Sequence, residues 1–124
     1  HVTVVEDPAY SPERVNVEAQ RADPHSLWNT IRHMLFTRKG HPVFGWGIFD
    51  WVDVQNNSIA AFKRIYSDES VLAVHNLSDS AQSFSTEIKK PANKLTDLLT
   101  QKEFPVQDGM LRLELDPYQF LWLK

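Results

Sequence analysis

Val71, Leu72, Ala73 and Val74 are four apolar residues in succession. A strand sends alternate side chains to opposite faces, so an unbroken apolar run is buried on both. No other feature restricts the fold as much. Residues 71–76 read as a central strand with a layer against each face, and the rest of the chain is built around them. The flanks supply partners. Residues 59–66 are rich in apolar and β-favouring side chains, with Lys63 and Arg64 the only charges. Ser67, Asp68, Glu69 and Ser70 form a polar break of turn-forming type, and residues 76–80 supply the next turn. Pairing Tyr66 opposite Val71 would set Phe62 opposite His75 and Lys63 beside Leu72 and Val74. A one-residue shift, which would exchange the faces, stays open at this level.

Upstream the pattern differs. Residues 1–22 carry Asp7-Pro8, Ser11-Pro12 and a polar run over 18–23, which predicts an irregular segment. Asp23-Pro24 reads as a helix start, since Asp caps the first turn and Pro is tolerated at its first position. Leu27, Trp28, Ile31, Met34 and Leu35 follow at spacings of three and four. Arg38 and Lys39 suit the negative helix end, and Gly40 with Pro42 stops it. The expectation is one helix over 24–39, in a helical segment 23–40.

After it come strand signals over 48–54, 59–66, 71–76 and 82–88. Residues 94–100 read as a strand through Leu95, Leu98 and Leu99. Pro105 and Asp108-Gly109 predict a turn. Residues 110–116 alternate Leu111, Leu113 and Leu115 with Arg112 and Glu114, and 118–123 close the chain as a strand. Short strands at intervals of about 8–12 residues indicate an antiparallel sandwich or barrel. The fold class is mainly β: an antiparallel sandwich of about 6–8 strands over residues 45–124, preceded by one α-helix.

Several functions are disfavoured. With 124 residues the chain has the size of one domain. Its formal net charge of −3 gives no electrostatic reason to expect nucleic acid or an anionic membrane. No apolar run approaches the ~18 residues a membrane helix needs. Cysteine is absent, which fits a reducing cytosol, so a cytoplasmic location is expected. The first residue is not methionine, which suggests a piece of a longer protein. His1, His25, His33, His41 and His75 lack the i, i+4 spacing of a helical zinc site, so no metal is expected. The four glycines make no phosphate loop, and no cofactor is expected. Ser11, Ser26 and Ser58 lack a nucleophile-elbow context. Asp50 and Asp53, three apart on one strand, fall on opposite faces and cannot form a facing carboxylate pair. No catalytic residue is assigned.

The aromatic residues leave two readings. Trp46, Trp51, Trp122, Phe44, Phe49, Tyr118 and Phe120 are many for a small domain. Exposed tryptophans on a sandwich can stack against sugar rings; core and domain-interface packing is the commoner use of large aromatics.

Two segments together carry a resemblance. Residues 10–28 (YSPERVNVEAQRADPHSLW) lead into 35–42 (LFTRKGHP). This resembles the segment closing the catalytic barrel of the α-amylase superfamily, glycoside hydrolase family 13, where a VN-V-x-x-Q-x-x-D-P-x-S-L run enters the last barrel helix. Residues 47–53 (GIFDWVD), 71–79 (VLAVHNLSD) and 118–123 (YQFLWL) are similar to the C-terminal β-domain of the trehalose synthase branch (maltose α-D-glucosyltransferase). The resemblance implies a C-terminal piece of such an enzyme: last barrel helix and β-domain, without the barrel that carries the catalytic carboxylates. Residues 108–116 (DGMLRLELD) have the wrong position and spacing for the nucleophile strand. His75 and Asn76 stand in the wrong order for the family's N-H-D motif, and with Asp79 read as strand end and turn.

The implied role is structural, in an enzyme that interconverts maltose and trehalose with some hydrolysis. The implied partner is the (β/α)8 barrel; one face of residues 71–74 would meet the opposite sheet, and the second needs a helix or the barrel. Without it, the helix face of Leu27, Ile31 and Leu35 must dock on the β-domain or form a homodimer. A carbohydrate-binding module using Trp46, Trp51 or Trp122 is the alternative.

Overall fold

The computed structural model describes residues 7–124. The apolar run lies in a strand over Glu69–Asn76 (β3), inside a four-stranded antiparallel sheet. Its neighbours are Ile59–Tyr66 (β2) and Phe120–Leu123 (β8), and Ile48–Trp51 (β1) is the edge beyond β2. The second sheet runs Gln82–Glu87 (β4), Met110–Leu115 (β7), Glu103–Gln107 (β6) and Lys94–Thr96 (β5). Between the sheets lies one core. Ile59, Ala61, Leu72, Val74, Leu121 and Leu123 meet Phe84, Leu111, Leu113 and Leu115. The expected antiparallel sandwich is therefore present, with eight strands among the described residues.

The β2–β3 register is tighter than the sequence reading. Tyr66 pairs with Glu69, Phe62 with Ala73 and Lys63 with Leu72. The connection has two residues, not four, because Ser67 takes a left-handed conformation (φ 55) that closes a short hairpin. Glu69 and Ser70, read as turn for their polarity, belong to the strand. The slip is two residues, an even number, so every side chain keeps its face.

Two further corrections concern residues 94–107. The strand expected over 94–100 stops at Thr96, and the chain turns from Asp97 through Thr100. Pro105, expected in a turn, lies inside β6. It is tolerated because the β6–β7 ladder holds only Val106 and Gln107, so Pro105 owes no hydrogen bond to β7. The Asp108-Gly109 hairpin is as expected, with both residues at positive φ (52 and 73).

Asp97 ties the two sheets together and was missed in the sequence. It is fully buried, and its carboxyl oxygens accept from the Trp122 N–H at 2.9 Å and from the Thr100 N–H and Oγ1 at 3.0 and 2.6 Å. Around it, Thr96 and Lys124 exchange two backbone hydrogen bonds, and the Leu98 N–H donates to the Trp122 carbonyl. These bonds join the end of β5 to β8 and close one side of the sandwich. The available signal was its neighbourhood: Asp97 is a lone carboxylate among Leu95, Leu98 and Leu99, an unusual place for a charge.

The chain divides after Thr37 into two compact units, and all eight strands lie in the second. In the first, the expected irregular segment 1–22 is partly helical; its residues 1–6 lie outside the described ones. A helix over Val17–Ala22 (α1) starts where the Asn16 side chain accepts from the Ala19 N–H at 2.8 Å. Its Glu, Ala, Gln and Arg are good helix formers, but six residues are too few to display an apolar stripe. Asp23 does not cap the long helix. Its carboxyl group accepts from the His25 N–H, and the helix over Leu27–Gly40 (α2) begins three residues later than the expected Pro24, behind Ser26, whose Oγ accepts from the Asn29 N–H at 3.2 Å. Leu27, Ile31, Leu35 and Phe36 are exposed.

Candidate functional site

The outer face of the first sheet is the surface the apolar run left to be explained. Register places Phe49 opposite Arg64, Trp51 opposite Phe62, Phe62 opposite Ala73, His75 opposite Phe120, and Ala73 opposite Trp122. All these side chains share the face that also carries Val71. Alternation puts Phe49 with Trp51 on this face of β1 and Phe120 with Trp122 on this face of β8, and pairing sets Phe62 of β2 and His75 of β3 between them.

Half of that face is covered from within the second unit. A short helix over Val43–Trp46 (α3) lies against β2 and β3, and its Val43 is fully buried. The Phe44 ring packs 4.7 Å from the Trp122 ring. Arg64 donates through Nη2 to the Phe44 carbonyl at 3.0 Å and through Nε to the Val43 carbonyl at 3.4 Å. His41 Nδ1 lies 2.6 Å from Glu69 Oε1, which also receives Lys124 Nζ at 2.7 Å. Burial pushes the Glu69 carboxyl up, but hydrogen bonds and charge from Lys124 and His41 outweigh it and hold it below the ordinary value of 4.5. Gly47 then brings the chain to β1. A side chain there would run into the Val43 carbonyl and the Ile65 backbone, so the approach requires glycine. The second face of Val71 and Ala73 is thus closed by residues 41–47. Of the two covers expected for this face, a helix or the barrel, a helix of this chain supplies it, so no missing neighbour is needed there; at four residues it was too short for its periodicity to be read.

The other half is open. Phe49 stacks on Phe62 at 4.9 Å, Phe62 on His75 at 5.9 Å, and His75 on Phe120 at 6.2 Å. Trp51 stands edge-on to Phe49 at 5.0 Å and to Phe62 at 6.0 Å. The result is one aromatic strip across all four strands. Trp51 is 65% exposed and Phe49 43%. The three candidate tryptophans make no common platform: Trp46 is 79% exposed on α3, Trp51 lies on the strip, and Trp122 is buried to 9% under Phe44.

Within the strip His75 is half-buried, as expected, and burial pushes its imidazole below the ordinary value of 6.5. The folded chain therefore holds it neutral where the unfolded chain takes a proton. Stability from this group is complete above pH 6.5 and falls as pH drops from there through the lower folded value. His75→Phe is expected to flatten the denaturation midpoint over that window; an unchanged pH slope would count against it.

The remaining candidates lie apart from the strip. Asp50 sits opposite Lys63 in β1, and Asp53 lies beyond the strand end. Asn76 is a buried organiser of the following turn: Nδ2 donates to the Ser80 and Asp116 carbonyls at 2.7 and 2.9 Å, and Oδ1 accepts from Ser78. That matches its reading as strand end and turn. Asp108 is a hairpin residue and Asp116 is exposed just past β7. His25 and His33 are exposed in the first unit. Among the described residues no three His, Asp or Glu side chains lie close enough to hold a metal ion. No described helix is long and apolar enough to cross a membrane.

Comparison with known proteins places this geometry. Residues 49–122 match the family described as the C-terminal domain of maltogenic amylase. A trehalose synthase of Thermus thermophilus is 37% identical over 118 residues, covering 94% of this chain and 12% of that protein. The trehalose synthase/amylase TreS of Mycobacterium tuberculosis (strain H37Rv) is 35% identical over 124 residues, covering 96% of this chain and 21% of that protein. A solved trehalulose synthase, a MutB variant in complex with Tris, superposes with TM-score 0.76 at 24% identity, over 95% of this chain and 21% of that one. An AmyP variant in complex with maltotriose superposes with TM-score 0.74 at 20% identity, over 89% of this chain and 22% of that one. At these identities the structural likeness establishes the fold. The chain spans about an eighth to a quarter of the length of the curated relatives it matches.

Proposed function

The chain belongs to the family of maltogenic amylase C-terminal domains, and from that premise we propose that its aromatic strip is the face by which it docks on the catalytic (β/α)8 barrel of an α-glucoside-active enzyme. The domain is accessory and non-catalytic. The parent reaction, in this reading, is maltose–trehalose interconversion by glucosyl transfer, an isomerisation, with amylase-like hydrolysis beside it. Its location is the cytoplasm.

One observation carries the reading: a single sheet face closed by α3 at one end and left aromatic and open at the other. Large rings in the open half gain about 1.5–3 kcal/mol each when fully covered. In the parent, α2 is the last barrel helix, and the barrel covers Leu27, Ile31 and Leu35. For the chain alone, docking on the β-domain or a homodimer through those three residues would cover them instead. Sugar stacking is the second use of an exposed tryptophan, but Trp51 stands edge-on to two neighbouring rings and Trp122 is out of reach.

The test uses the chain and a matching barrel lacking this domain. The chain alone is expected to turn over neither maltose nor trehalose. Added to the barrel, it should co-elute and raise the barrel's thermal midpoint. Turnover by the chain alone, or a tryptophan fluorescence change that saturates with maltooligosaccharides, would overturn the assignment.

A further inference from the structure

The first unit carries a feature that docking of the β-domain leaves unused. Arg21 of α1 and Arg32 of α2 both lie against the Trp28 ring, with Cζ 5.2 and 5.5 Å from its centroid. The three side chains line one surface cleft of about 450 Å³. We propose that this cleft binds an anionic group, a phosphate or a carboxylate, between the two guanidinium groups.

Three observations support it. The first is charge. Two like charges converge on one ring, and among the described residues no carboxylate lies within ion-pair distance of either. An anion seated beside them would supply the countercharge that no ion pair among the described residues provides.

The second is rigidity. Ser26 Oγ and Asn29 Nδ2 donate to the Gln20 carbonyl, and Asn29 Nδ2 also donates to the carbonyls of Arg21 and Asp23 at 3.2 and 2.8 Å. Gln20 Oε1 accepts from the Trp28 backbone N–H at 3.2 Å. This knot fixes α1 against the start of α2, and so fixes Arg21 relative to Trp28 and Arg32. Ser26 at the centre of it is buried.

The third is geometry. A guanidinium lying against an indole leaves its N–H edges free, and those edges match the paired oxygens of phosphate or carboxylate. The cation–π contacts hold both side chains in place before the anion arrives, which reduces the entropy lost on binding.

Inorganic phosphate is the probe, titrated into the chain at constant ionic strength with chloride as the control anion. Tryptophan fluorescence is the readout, and Trp28→Phe identifies which part of the signal is local. A saturable change is expected, absent with chloride and weakening with added salt. Arg21→Gln and Arg32→Gln should each lower the affinity about tenfold or more while leaving the circular dichroism unchanged. No saturable change, or a change that survives both substitutions, would overturn the proposal.

The same titration on the full-length protein separates the two sources of the anion. Retained binding assigns the cleft to a freely diffusing phosphate ester. Loss of binding there, with binding kept in the chain alone, assigns it to a carboxylate elsewhere in the same polypeptide. The outcome is independent of the aromatic strip, which lies in the second unit.

Discussion

Replacing Asp97 with alanine is expected to destabilise the chain by about 3–5 kcal/mol, a large part of what a domain of this size has. Asp97 is fully buried and accepts three hydrogen bonds, and its removal strands the Trp122 and Thr100 N–H groups without acceptors. The buried Trp122 donor costs about 1–3 kcal/mol once stranded, the two bonds from exposed Thr100 about 0.5–1.5 kcal/mol each, and the lost side chain leaves a void besides. The damage is local to the junction between β5 and β8. Asp97→Asn keeps one acceptor oxygen but sets an NH2 group against a donor, so it should recover only part of the loss. Asp53→Ala, at an exposed site, is expected to stay within about 0.5 kcal/mol. Urea denaturation of the three variants at one pH decides the matter. If Asp97→Ala unfolds at the same midpoint as the parent, the junction does not hold the sheets together.

The second large effect is expected in the full-length protein. Phe49→Glu combined with Trp51→Glu puts two charges on the open part of the strip. In the chain alone both positions are substantially exposed. The cost there is the lost ring contacts, about 1 kcal/mol each. Against a barrel the same charges would be buried without partners and the two rings' apolar cover would be lost, about 3–6 kcal/mol together. Calorimetry of the full-length variant should then resolve separate barrel and domain transitions where the parent has one, and limited proteolysis should cut between them. A single transition at the parent temperature would sink the docking assignment. Trp46→Glu is the comparison: Trp46 is exposed but stands off the strip, so a smaller effect is expected.

Much of the fold was legible because its signals are local. The Leu111, Leu113, Leu115 alternation, the Asp108-Gly109 hairpin and the apolar run at 71–74 each lie within a few residues of one another, and each became the expected element. The aromatic residues of the strip were legible only as a list. Phe49, Trp51 and Phe120 stood out by type, but nothing local places Phe62 and His75 between them. Adjacency there depends on the pairing of β1 with β2, β2 with β3, and β3 with β8, and the last pair is closed by about 45 intervening residues. The β2–β3 register was misread by two residues for a related reason. The composition of 67–70 says turn, while the backbone needs only Ser67 and Asp68.

By itself, the sequence determined the class: strands by period and turn chemistry, an inner strand by its double-sided apolar run, one long helix by its stripe. It also determined kinship, through segments at 10–28, 47–53 and 71–79. Only the tertiary structure decided what covers what. Val71 and Ala73 looked as though they needed an absent neighbour, and residues 41–47 of the same chain turned out to cover them. Asp97 looked like one charge in a leucine-rich stretch, and it proved to be the buried link between the two sheets. Burial belongs to the whole packing arrangement and hydrogen-bond partners are chosen in space, so neither is carried by a window of sequence. The open half of the strip is the remainder once that packing is complete.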